Sequence, residues 1–270
     1  MAKTILLTGA TDGIGLATAK LLAAEGHHLL VHGRSASKLA DTVATLTAIP
    51  GAGPVQTLQA DLSHLDEVVA MARTVLVSGQ ALDVLINNAG VYSTPNPRTE
   101  SGLDVRFVVN TLAPYLLAKK LAPLLGAEGR VVNLSSAAQA SVDLAALRGE
   151  QFLSDSAAYA QSKLALTMWS RQWGLNRAAN EPINIAVNPA SLLGSKMVSD
   201  AFGVKGGDLN IGADILTRAA LSEEFANASG QYFDNDSGRF APPYPDALNA
   251  QICAEVVNTI ESLLGDYLVE

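Results

Sequence analysis

The stretch Ile5-Leu6-Leu7-Thr8-Gly9-Ala10-Thr11-Asp12-Gly13-Ile14-Gly15 joins a short apolar run to three closely spaced glycines. Behind it, Leu16, Ala19, Leu22 and Ala23 recur at the spacing of one helix face. An apolar run, a glycine-rich turn and an amphipathic helix are the parts of a strand–turn–helix unit, and parallel sheets are built from such units. The start of the chain therefore predicts an α/β fold.

The glycines of this turn have separate uses. Gly9 permits a tight turn, Gly13 lets the backbone approach a pyrophosphate at the helix N-terminus, and Gly15 lets the helix pack closely on the strand. A glycine-rich turn alone is weak evidence, but its position between a strand and a helix makes it specific. The pattern predicts a dinucleotide site that includes Thr8, Gly9, Thr11, Asp12, Gly13, Ile14 and Gly15.

The second apolar run, Leu29-Leu30-Val31-His32, ends in Gly33-Arg34-Ser35. It ends about 20 residues after the glycine loop, where a site specific for NAD(H) places an acid on the ribose 2′-hydroxyl. No Asp or Glu stands there. The guanidinium of Arg34 instead suits a 2′-phosphate, although a solvated loop arginine is the alternative. We predict a preference for NADP(H), with NAD(H) as a second option.

Apolar runs and helical patterns alternate along the rest of the chain. Runs typical of buried strands lie at Val55–Ala60, Leu82–Ile86, Arg130–Leu134, Ile183–Val187 and Gly230–Phe233. Helical patterns lie between and after them, including Ala36–Ala48, Ile211–Leu221 and Leu248–Leu264. This order predicts a doubly wound parallel sheet, a Rossmann fold, with helices on both faces. No repeat or change of composition interrupts it, so we expect a single domain over residues 1–270.

Composition excludes several classes of function. The 270 residues are 49% apolar, enough for a sizeable core, and carry a net charge of −8. That charge argues against nucleic acid or an anionic membrane as the main partner. No apolar window reaches the roughly 20 residues of a membrane span. One cysteine, Cys253, fits a reducing compartment, and the first residues lack the pattern of a signal peptide, so we expect a cytoplasmic location.

A second informative stretch is Tyr159-Ala160-Gln161-Ser162-Lys163. Its tyrosine and lysine are four residues apart and share one face of a helix. A phenol titrates near ~10 and a lysine near ~10.4, and an adjacent ammonium favours the phenolate. Tyr159 is therefore a candidate acid or base. Taken alone, such a pair is more often part of a solvated helix face.

The segments TGATDGIG (residues 8–15), NNAG (residues 87–90) and YAQSK (residues 159–163), in this order, resemble the short-chain dehydrogenase/reductase family. The resemblance covers nearly the whole chain. It implies a doubly wound domain that binds a nicotinamide cofactor and interconverts carbonyl and alcohol groups. Segments near Gly102 and Gly230, together with a long insert before Tyr159, are similar to the retinol-dehydrogenase-like branch.

The resemblance also implies the site residues. The family's catalytic Asn-Ser-Tyr-Lys set corresponds to Asn110, Ser136, Tyr159 and Lys163, with Ser135 as the alternative serine. The serine would bind the substrate oxygen, the tyrosine would exchange its proton, and the lysine would lower the tyrosine's pKa and bind the ribose. The expected cofactor contacts add Asp61, Leu62, Asn88, Ala89, Gly90, Pro189, Ser191 and Ser195 to the glycine loop, Arg34, Tyr159 and Lys163. Asp61 could equally cap the following helix. The family usually has glycine where this chain has Ala190.

Two segments are expected to shape the substrate side. Residues 137–156 form the insert, and residues 191–210 form a long loop without a clear period, which we interpret as a lid. Charge is sparse in both, and they carry the apolar side chains Leu144, Leu147, Phe152, Leu153, Leu192, Leu193, Met197, Val198 and Phe202. We therefore expect a largely apolar or aromatic small-molecule substrate. The alternative is that these side chains are buried in a subunit interface of a homodimer or homotetramer.

Three further expectations concern alternatives and details. A non-catalytic dinucleotide-binding regulator would keep the fold, and a nucleotide-sugar epimerase would need a larger C-terminal part. The acidic loop Asp234–Gly238 lacks the later glutamate of an EF-hand, so no metal site is predicted.

Pro114 has no N–H and cannot bond back to Asn110. The Asn110 carbonyl is therefore expected to be free for a water that leads from Lys163 to solvent, although Pro114 could simply kink the helix.

Overall fold

The strands of the computed structural model, which describes residues 1–269, follow the predicted apolar runs. They are β1 (Thr4–Leu7), β2 (His28–Gly33), β3 (Val55–Gln59), β4 (Val84–Asn87), β5 (Arg130–Leu134), β6 (Ile183–Asn188), β7 (Tyr232–Asp234) and β8 (Arg239–Phe240). Within the described residues these eight strands form one sheet in the order β3-β2-β1-β4-β5-β6-β7-β8. All pairs are parallel except β7 and β8. The order reverses direction at β1, as in a doubly wound sheet.

Helices connect the strands and cover the sheet. They are α1 (Gly13–Ala24), α2 (Ala36–Thr47), α3 (Leu65–Val77), α4 (Val105–Phe107), α5 (Ala113–Leu125), α6 (Leu144–Leu147), α7 (Asp155–Asn176), α8 (Lys196–Phe202), α9 (Leu209–Leu221) and α10 (Ala250–Leu264). Helices α1, α2 and α9 lie on one face, and α3, α5, α7 and α10 lie on the other. The predicted α/β class and its two layers of helices are confirmed. None of the helices in residues 1–269 has the length and apolar character of a membrane span.

The core has two parts, one on each face of the sheet, because successive residues of a strand point to opposite sides. Leu6 and Leu85 pack with the α3–α5–α7–α10 layer, whereas Ile5 and Leu7 pack with the α1–α2–α9 layer. All four side chains are fully buried. Burying a large apolar side chain contributes about 1.5–3 kcal/mol, so these central strands hold the site-bearing loops on a rigid support.

Three short elements differ from the sequence prediction. The loop predicted after Asp234 contains β8, because the positive φ of Gly238 (+67°) allows a turn that pairs Phe240 with Phe233. The insert contains the one-turn helix α6, and the predicted lid contains α8. The latter is capped by Ser195 and ends at Gly203, so it is too short to show a helical period in the sequence. At Phe202 the side chain lies outside the described part of the structure.

The segment between α4 and α5 is a π-helix over Val108–Leu112. It ends two residues before Pro114, whose missing N–H removes one α-helical bond. Wider π-turns are frequent at functional sites. Asn110 lies in the middle of this turn and is fully buried. The chain beside Pro114 thus changes helix type locally. The alternative of a simple kink at Pro114 stays a prediction.

Candidate active site

The candidate site lies at the carboxyl ends of the parallel strands. The loops after β1, β4, β5 and β6 carry the glycine loop, residues 88–90, Ser135-Ser136 and residues 189–191, and α7 brings Tyr159 and Lys163 to them. In open parallel sheets, ligands bind in the crevice outside these strand ends, where the strand order reverses. The topology thus brings together residues that are far apart in the sequence.

The glycine loop has the shape that a pyrophosphate cradle needs. Gly9 (φ +66°) and Gly13 (φ +53°) adopt the left-handed conformation that favours glycine. A Cβ added at Gly15 would lie 2.1 Å from the carbonyl oxygen of Gly9, so this position has no room for a side chain. The loop leads into the N-terminus of α1, which Asp12 caps by accepting the Gly13 N–H at 2.8 Å.

Thr8 and Asn88 hold the glycine loop against the loop after β4. The Thr8 hydroxyl accepts the backbone N–H groups of Asn88 and Ala89 at 3.0 and 3.1 Å. The Asn88 side-chain amide donates to the carbonyls of Thr8 and Gly9 at 2.9 and 3.1 Å. These residues, predicted as cofactor contacts, therefore build the cradle by joining its two loops, and Ile14 packs behind it near Gly212.

Two cations lie after β2, Arg34 in the loop and Lys38 in the first turn of α2. Arg34, whose side chain is 70% exposed, lies 3.6 Å from an Asp61 carboxylate oxygen, and Lys38 lies 3.5 Å from a carboxylate oxygen of Asp12. Burial opposes ionisation of Asp61, but hydrogen bonds from Ser63 and the charge of Arg34 hold its pKa below the ordinary value. Asp61 thus pairs with Arg34 and bonds Ser63, and the buried Leu62 follows it. Lys38 adds a second positive charge that the sequence prediction did not include. Its position in the first turn of α2 could have indicated it.

His32 is a site residue that the sequence pattern does not indicate. It is 2% exposed, and its Nδ1 accepts the Gly9 N–H at 3.2 Å. Because Nδ1 accepts, Nε2 carries the proton and donates to the Ala60 carbonyl at 3.0 Å. Burial lowers the pKa of this imidazole, which keeps it neutral near pH 7. His32 therefore supports the glycine loop from the end of β2.

Of the two adjacent serines, only Ser136 faces Tyr159. Its hydroxyl lies beside the Tyr159 phenol, where it acts to lower the pKa of that group. The Ser135 hydroxyl lies 2.6 Å from Thr167 Oγ1 in the interior. The structure thus separates the two candidates that the sequence left open. The ring of Tyr92, which the sequence did not single out, lies 5.0 Å from the Tyr159 ring and forms a wall of the site.

Lys163 is 3% exposed, and its Nζ donates to the Leu134 carbonyl at 2.6 Å. Nζ lies 5.7 Å from the centroid of the Tyr159 ring. The expectation that this lysine lowers the tyrosine's pKa is not met in the structure. Burial instead raises the pKa of the Tyr159 phenol, and the Ser136 hydroxyl opposes it only in part. Burial also lowers the pKa of the Lys163 ammonium to about 8.

The depressed Lys163 pKa has a consequence for stability. The folded-state pKa of about 8 lies below the ordinary value of about 10.4, so between these values the unfolded chain binds more protons than the folded one. The cost of burying the charge is fully present below about pH 8 and is relieved as pH rises through this window. In urea titrations without nucleotide, the unfolding free energy of the wild type should therefore rise from about pH 8 to about pH 10 relative to that of Lys163→Met. Parallel pH curves for the two proteins would contradict this.

Asn110 is held by its side-chain amide. Its Oδ1 accepts the Val91 N–H at 2.8 Å, and its Nδ2 donates to the Val91 carbonyl at 2.9 Å and to Ser162 Oγ at 3.0 Å. A Cβ added at Gly90 would lie 3.4 Å from Asn110 Oδ1 and 3.5 Å from Lys163 Nζ. Gly90 therefore lies directly beside both residues. The role of the Asn110 carbonyl stays a prediction.

The loop after β6 is under conformational strain. Ala190 has φ +111°, a region that favours glycine, and costs about 1–3 kcal/mol in other residues. This explains why the family usually has glycine here. Asp236 holds the loop by accepting the N–H and hydroxyl of Ser191 at 2.8 and 2.6 Å, and Asn235 donates to the Pro189 carbonyl at 3.0 Å. Ser195 caps α8 and lies close to Gly13, because a Cβ added at Gly13 would be 3.5 Å from the Ser195 Cβ. The lid over residues 191–210 stays a prediction.

A cavity of about 290 Å³ adjoins the Ser136 loop. Tyr232 Oη and Gln139 Nε2 both line it and donate to the Ser136 carbonyl at 3.2 and 2.8 Å. The rest of its lining is both polar and apolar: the carboxylates of Asp234 and Asp236, the residues Ala137, Ala241, Pro242 and Pro243, and Tyr244.

The insert over residues 137–156 contributes fewer apolar side chains to this cavity than the sequence predicted. Leu147 is fully buried in the core, and Phe152 is 77% exposed with the Arg98 guanidinium 3.8 Å from its ring.

Comparison with known proteins defines the class. A family model described as short chain dehydrogenase matches residues 3–202. With the fold and the glycine, NNAG and YAQSK segments in place, the chain belongs to the short-chain dehydrogenase/reductase family and is an oxidoreductase of that family. An eight-stranded sheet that is parallel except at its β8 edge agrees with this assignment.

Several relatives refine the likeness. Retinol dehydrogenase 12 of Bos taurus is 30% identical over 276 residues, covering 97% of this chain and 86% of its own. Polyprenol dehydrogenase of Mus musculus is 39% identical over 178 residues, 63% of this chain, and the match spans only 53% of that relative's length. A crystal structure of an uncharacterised protein from Mycobacterium paratuberculosis has a TM-score of 0.77 at 26% identity, covering 97% of this chain and 92% of the other. The predicted similarity to the retinol-dehydrogenase-like branch is confirmed.

Proposed function

We propose that this protein is an NADP(H)-dependent oxidoreductase that interconverts a carbonyl and an alcohol on a largely apolar or aromatic small molecule. The observation that carries the proposal is the meeting of Ser136, Tyr159 and Lys163, with Lys163 and Asn110 beside Gly90 in the loop after β4. When bound, the nicotinamide cofactor supplies or accepts the hydride. Retinol dehydrogenase and polyprenol dehydrogenase, among the relatives, are by name dehydrogenases of alcohols.

Each of the four residues has a role in this proposal. Ser136 donates a hydrogen bond to the substrate oxygen, and Tyr159 exchanges the proton on that oxygen. Its raised pKa keeps Tyr159 protonated near neutral pH, the state that donates to a carbonyl oxygen. Lys163 binds the ribose and, after Tyr159 has given its proton to the substrate oxygen, supplies the proton that restores the phenol. The Asn110 carbonyl, which Pro114 cannot bond, holds the water that connects Lys163 with solvent.

The residues present fit a bound dinucleotide phosphate. Gly9 and Gly13 have positive φ, which lets the backbone of this loop come close to a pyrophosphate. Gly90 has no side chain beside Asn110 and Lys163, which leaves room for a ribose. Arg34 and Lys38 would hold the 2′-phosphate at the end of β2, because both side chains are exposed cations that pair only with exposed or half-buried carboxylates. A cytoplasmic location, a single domain and a homodimer or homotetramer stay predictions from the sequence.

The cavity charges restrict the substrate. Burial opposes ionisation of Asp234 and Asp236, yet hydrogen bonds from Ser237, Ser191 and Asn188 hold the pKa of both carboxyls below the ordinary value. Both are therefore ionised near neutral pH and repel anionic substrates. The tyrosines and prolines of the lining offer apolar surface to a ring or an aliphatic chain. A neutral substrate fits this combination.

The test is a turnover screen of aldehydes, ketones and alcohols with NADPH, NADH and their oxidised forms. We expect neutral aromatic or aliphatic compounds to exceed small, multiply charged acids by at least about tenfold in kcat/KM, because like charges in a site are strongly unfavourable. Initial rates from the absorbance of the reduced cofactor measure this.

Asp234→Asn serves as the matched variant for that screen. It removes one negative charge from the cavity and should therefore reduce the ratio between the kcat/KM values of neutral and of acidic substrates. A profile that peaks on small, multiply charged acids in the wild type would contradict the substrate assignment. Nucleotide binding without turnover of any compound would instead favour the non-catalytic regulator.

A further inference from the structure

An ion pair between a buried arginine and a half-exposed aspartate lies four residues before each of two proposed catalytic residues. Arg106, four residues before Asn110, is 1% exposed in its side chain and pairs with Asp155, four residues before Tyr159. Residues four apart on a helix occupy the same face. Asp155 thus lies on the α7 face that carries Tyr159, and the pair joins α4 to the first turn of α7.

Hydrogen bonds to two carboxylates hold the Arg106 guanidinium in one orientation. Its Nε and Nη2 donate to the two carboxylate oxygens of Asp104 at 2.8 and 2.7 Å, and its Nη1 donates to Asp155. Asp104 also caps α4 by accepting the Arg106 N–H at 2.8 Å. A guanidinium held by a two-point contact presents its third nitrogen in one direction only. That direction sets where the start of α7 lies relative to α4.

Asp155 also reaches the loop that follows residues 87–90. The Ser93 side chain lies close enough to be the first cause that lowers the pKa of the Asp155 carboxyl, and the hydrogen bond from Arg106 lowers it further. Tyr92, next to Ser93, has its ring 5.0 Å from the Tyr159 ring, and Val91 is bonded to the Asn110 amide. Asp155 therefore connects three segments whose side chains meet at the proposed reaction centre. The helix cap itself is a different residue, Ser154.

We propose that Asp155 and Arg106 are positioning residues for proton transfer. By tying the first turn of α7 to α4 and to Ser93, they hold the Tyr159 hydroxyl at Ser136 and align it with Asn110. They do not touch the reacting atoms. The proposal rests on the function proposed above for its kinetic readout, and it has a second readout that does not depend on activity.

Asp155→Ala is the test. Asp155 is 46% exposed and Arg106 keeps its two bonds to Asp104, so this variant leaves no buried charge unpaired and should fold. We expect kcat on the best wild-type substrate to fall by about tenfold to a hundredfold, the effect of a small misplacement of catalytic groups, with KM for the cofactor within about twofold. Asp155→Asn keeps an acceptor for Arg106 and Ser93 and should recover part of the loss.

Hydrogen exchange by mass spectrometry gives the second readout. Amides of residues 156–162 and 91–93 should exchange faster in Asp155→Ala than in the wild type, while those of β4 and β5 are unchanged. Glu224→Gln is the control, since it removes an ion pair with Arg218 at 2.8 Å. Ser222, two residues earlier, accepts a hydrogen bond from Arg130, so this ion pair lies near the opposite end of β5 from Ser136. The control variant should change neither kcat nor exchange near Tyr159.

Two results would overturn the proposal. One is a kcat within about twofold of wild type in Asp155→Ala with unchanged exchange in these segments. The other is a parallel loss of kcat, cofactor affinity and global exchange protection, which would make the pair purely structural. If the wild type turns over no compound of the screen, the proposed function fails, and the exchange measurement alone decides whether Asp155 positions α7.

Discussion

Tyr159→Phe is expected to lower turnover by about 10²–10⁴-fold, the range that a positioned acid or base contributes. The substitution removes one hydroxyl and with it the contact with Ser136. The phenyl ring keeps its contact with Tyr92 and its place on α7, so the fold and the glycine loop should not change. Nucleotide affinity, measured by calorimetry, should therefore stay close to that of the wild type.

Tyr92→Phe is the matched control for this variant. It makes the same chemical change on the neighbouring ring, 5.0 Å away, in a residue without an assigned proton-transfer role. Most of the turnover should remain. If Tyr159→Phe instead keeps more than about a tenth of wild-type turnover, the proton exchange belongs to another group, since loss of the acid should cost at least about 10²-fold.

Arg34→Ala is expected to remove most of a preference for NADPH over NADH. The wild type should bind NADPH more tightly by about 1.5–3 kcal/mol, the scale of a hydrogen bond to a charged group. The side chain is 70% exposed, so the substitution leaves no cavity and should not alter stability. Dissociation constants for both nucleotides in both proteins measure the difference directly.

A variant of Asp61, the ion-pair partner of Arg34, gives a second test of the cofactor preference. Asp61→Asn removes the competing charge, 3.6 Å from the guanidinium, and should increase the preference for NADPH. Arg148→Ala is the control, because Arg148 is also paired with an exposed carboxylate, that of Glu150, and lies outside the cradle. Equal affinities of the wild type for the two nucleotides would show that Arg34 does not bind a 2′-phosphate.

Local chemistry explains why much of the site could be predicted. Gly9 and Gly13 adopt positive φ, and Gly15 has no space for a Cβ. Each of these positions therefore requires glycine for a local reason, and the sequence pattern shows it directly. The buried strands show as apolar runs because each of their side chains meets a helix on one face or the other. The four-residue spacing of Tyr159 and Lys163 places them on one face of α7 for the same kind of local reason.

Residues that act through distant partners could not be predicted in this way. His32 gives no periodic signal, and its link to Gly9 exists only because β2 lies beside β1. The pairing of Arg106 with Asp155 depends on the packing of α4 against α7. The pKa of Tyr159 was expected to fall from the sequence spacing, but burial, which spacing does not describe, raises it.

By itself, the sequence determined the α/β class, the order of strands and helices, and the family, because these follow from short-range patterns of apolar residues and glycines. Only the tertiary structure decided that Ser136 rather than Ser135 faces Tyr159, since adjacent residues at a strand end point to opposite sides. It also decided the strain at Ala190 and the mixed lining of the cavity. These depend on which segments meet at the carboxyl edge of the sheet, and that meeting is a property of the whole packed chain.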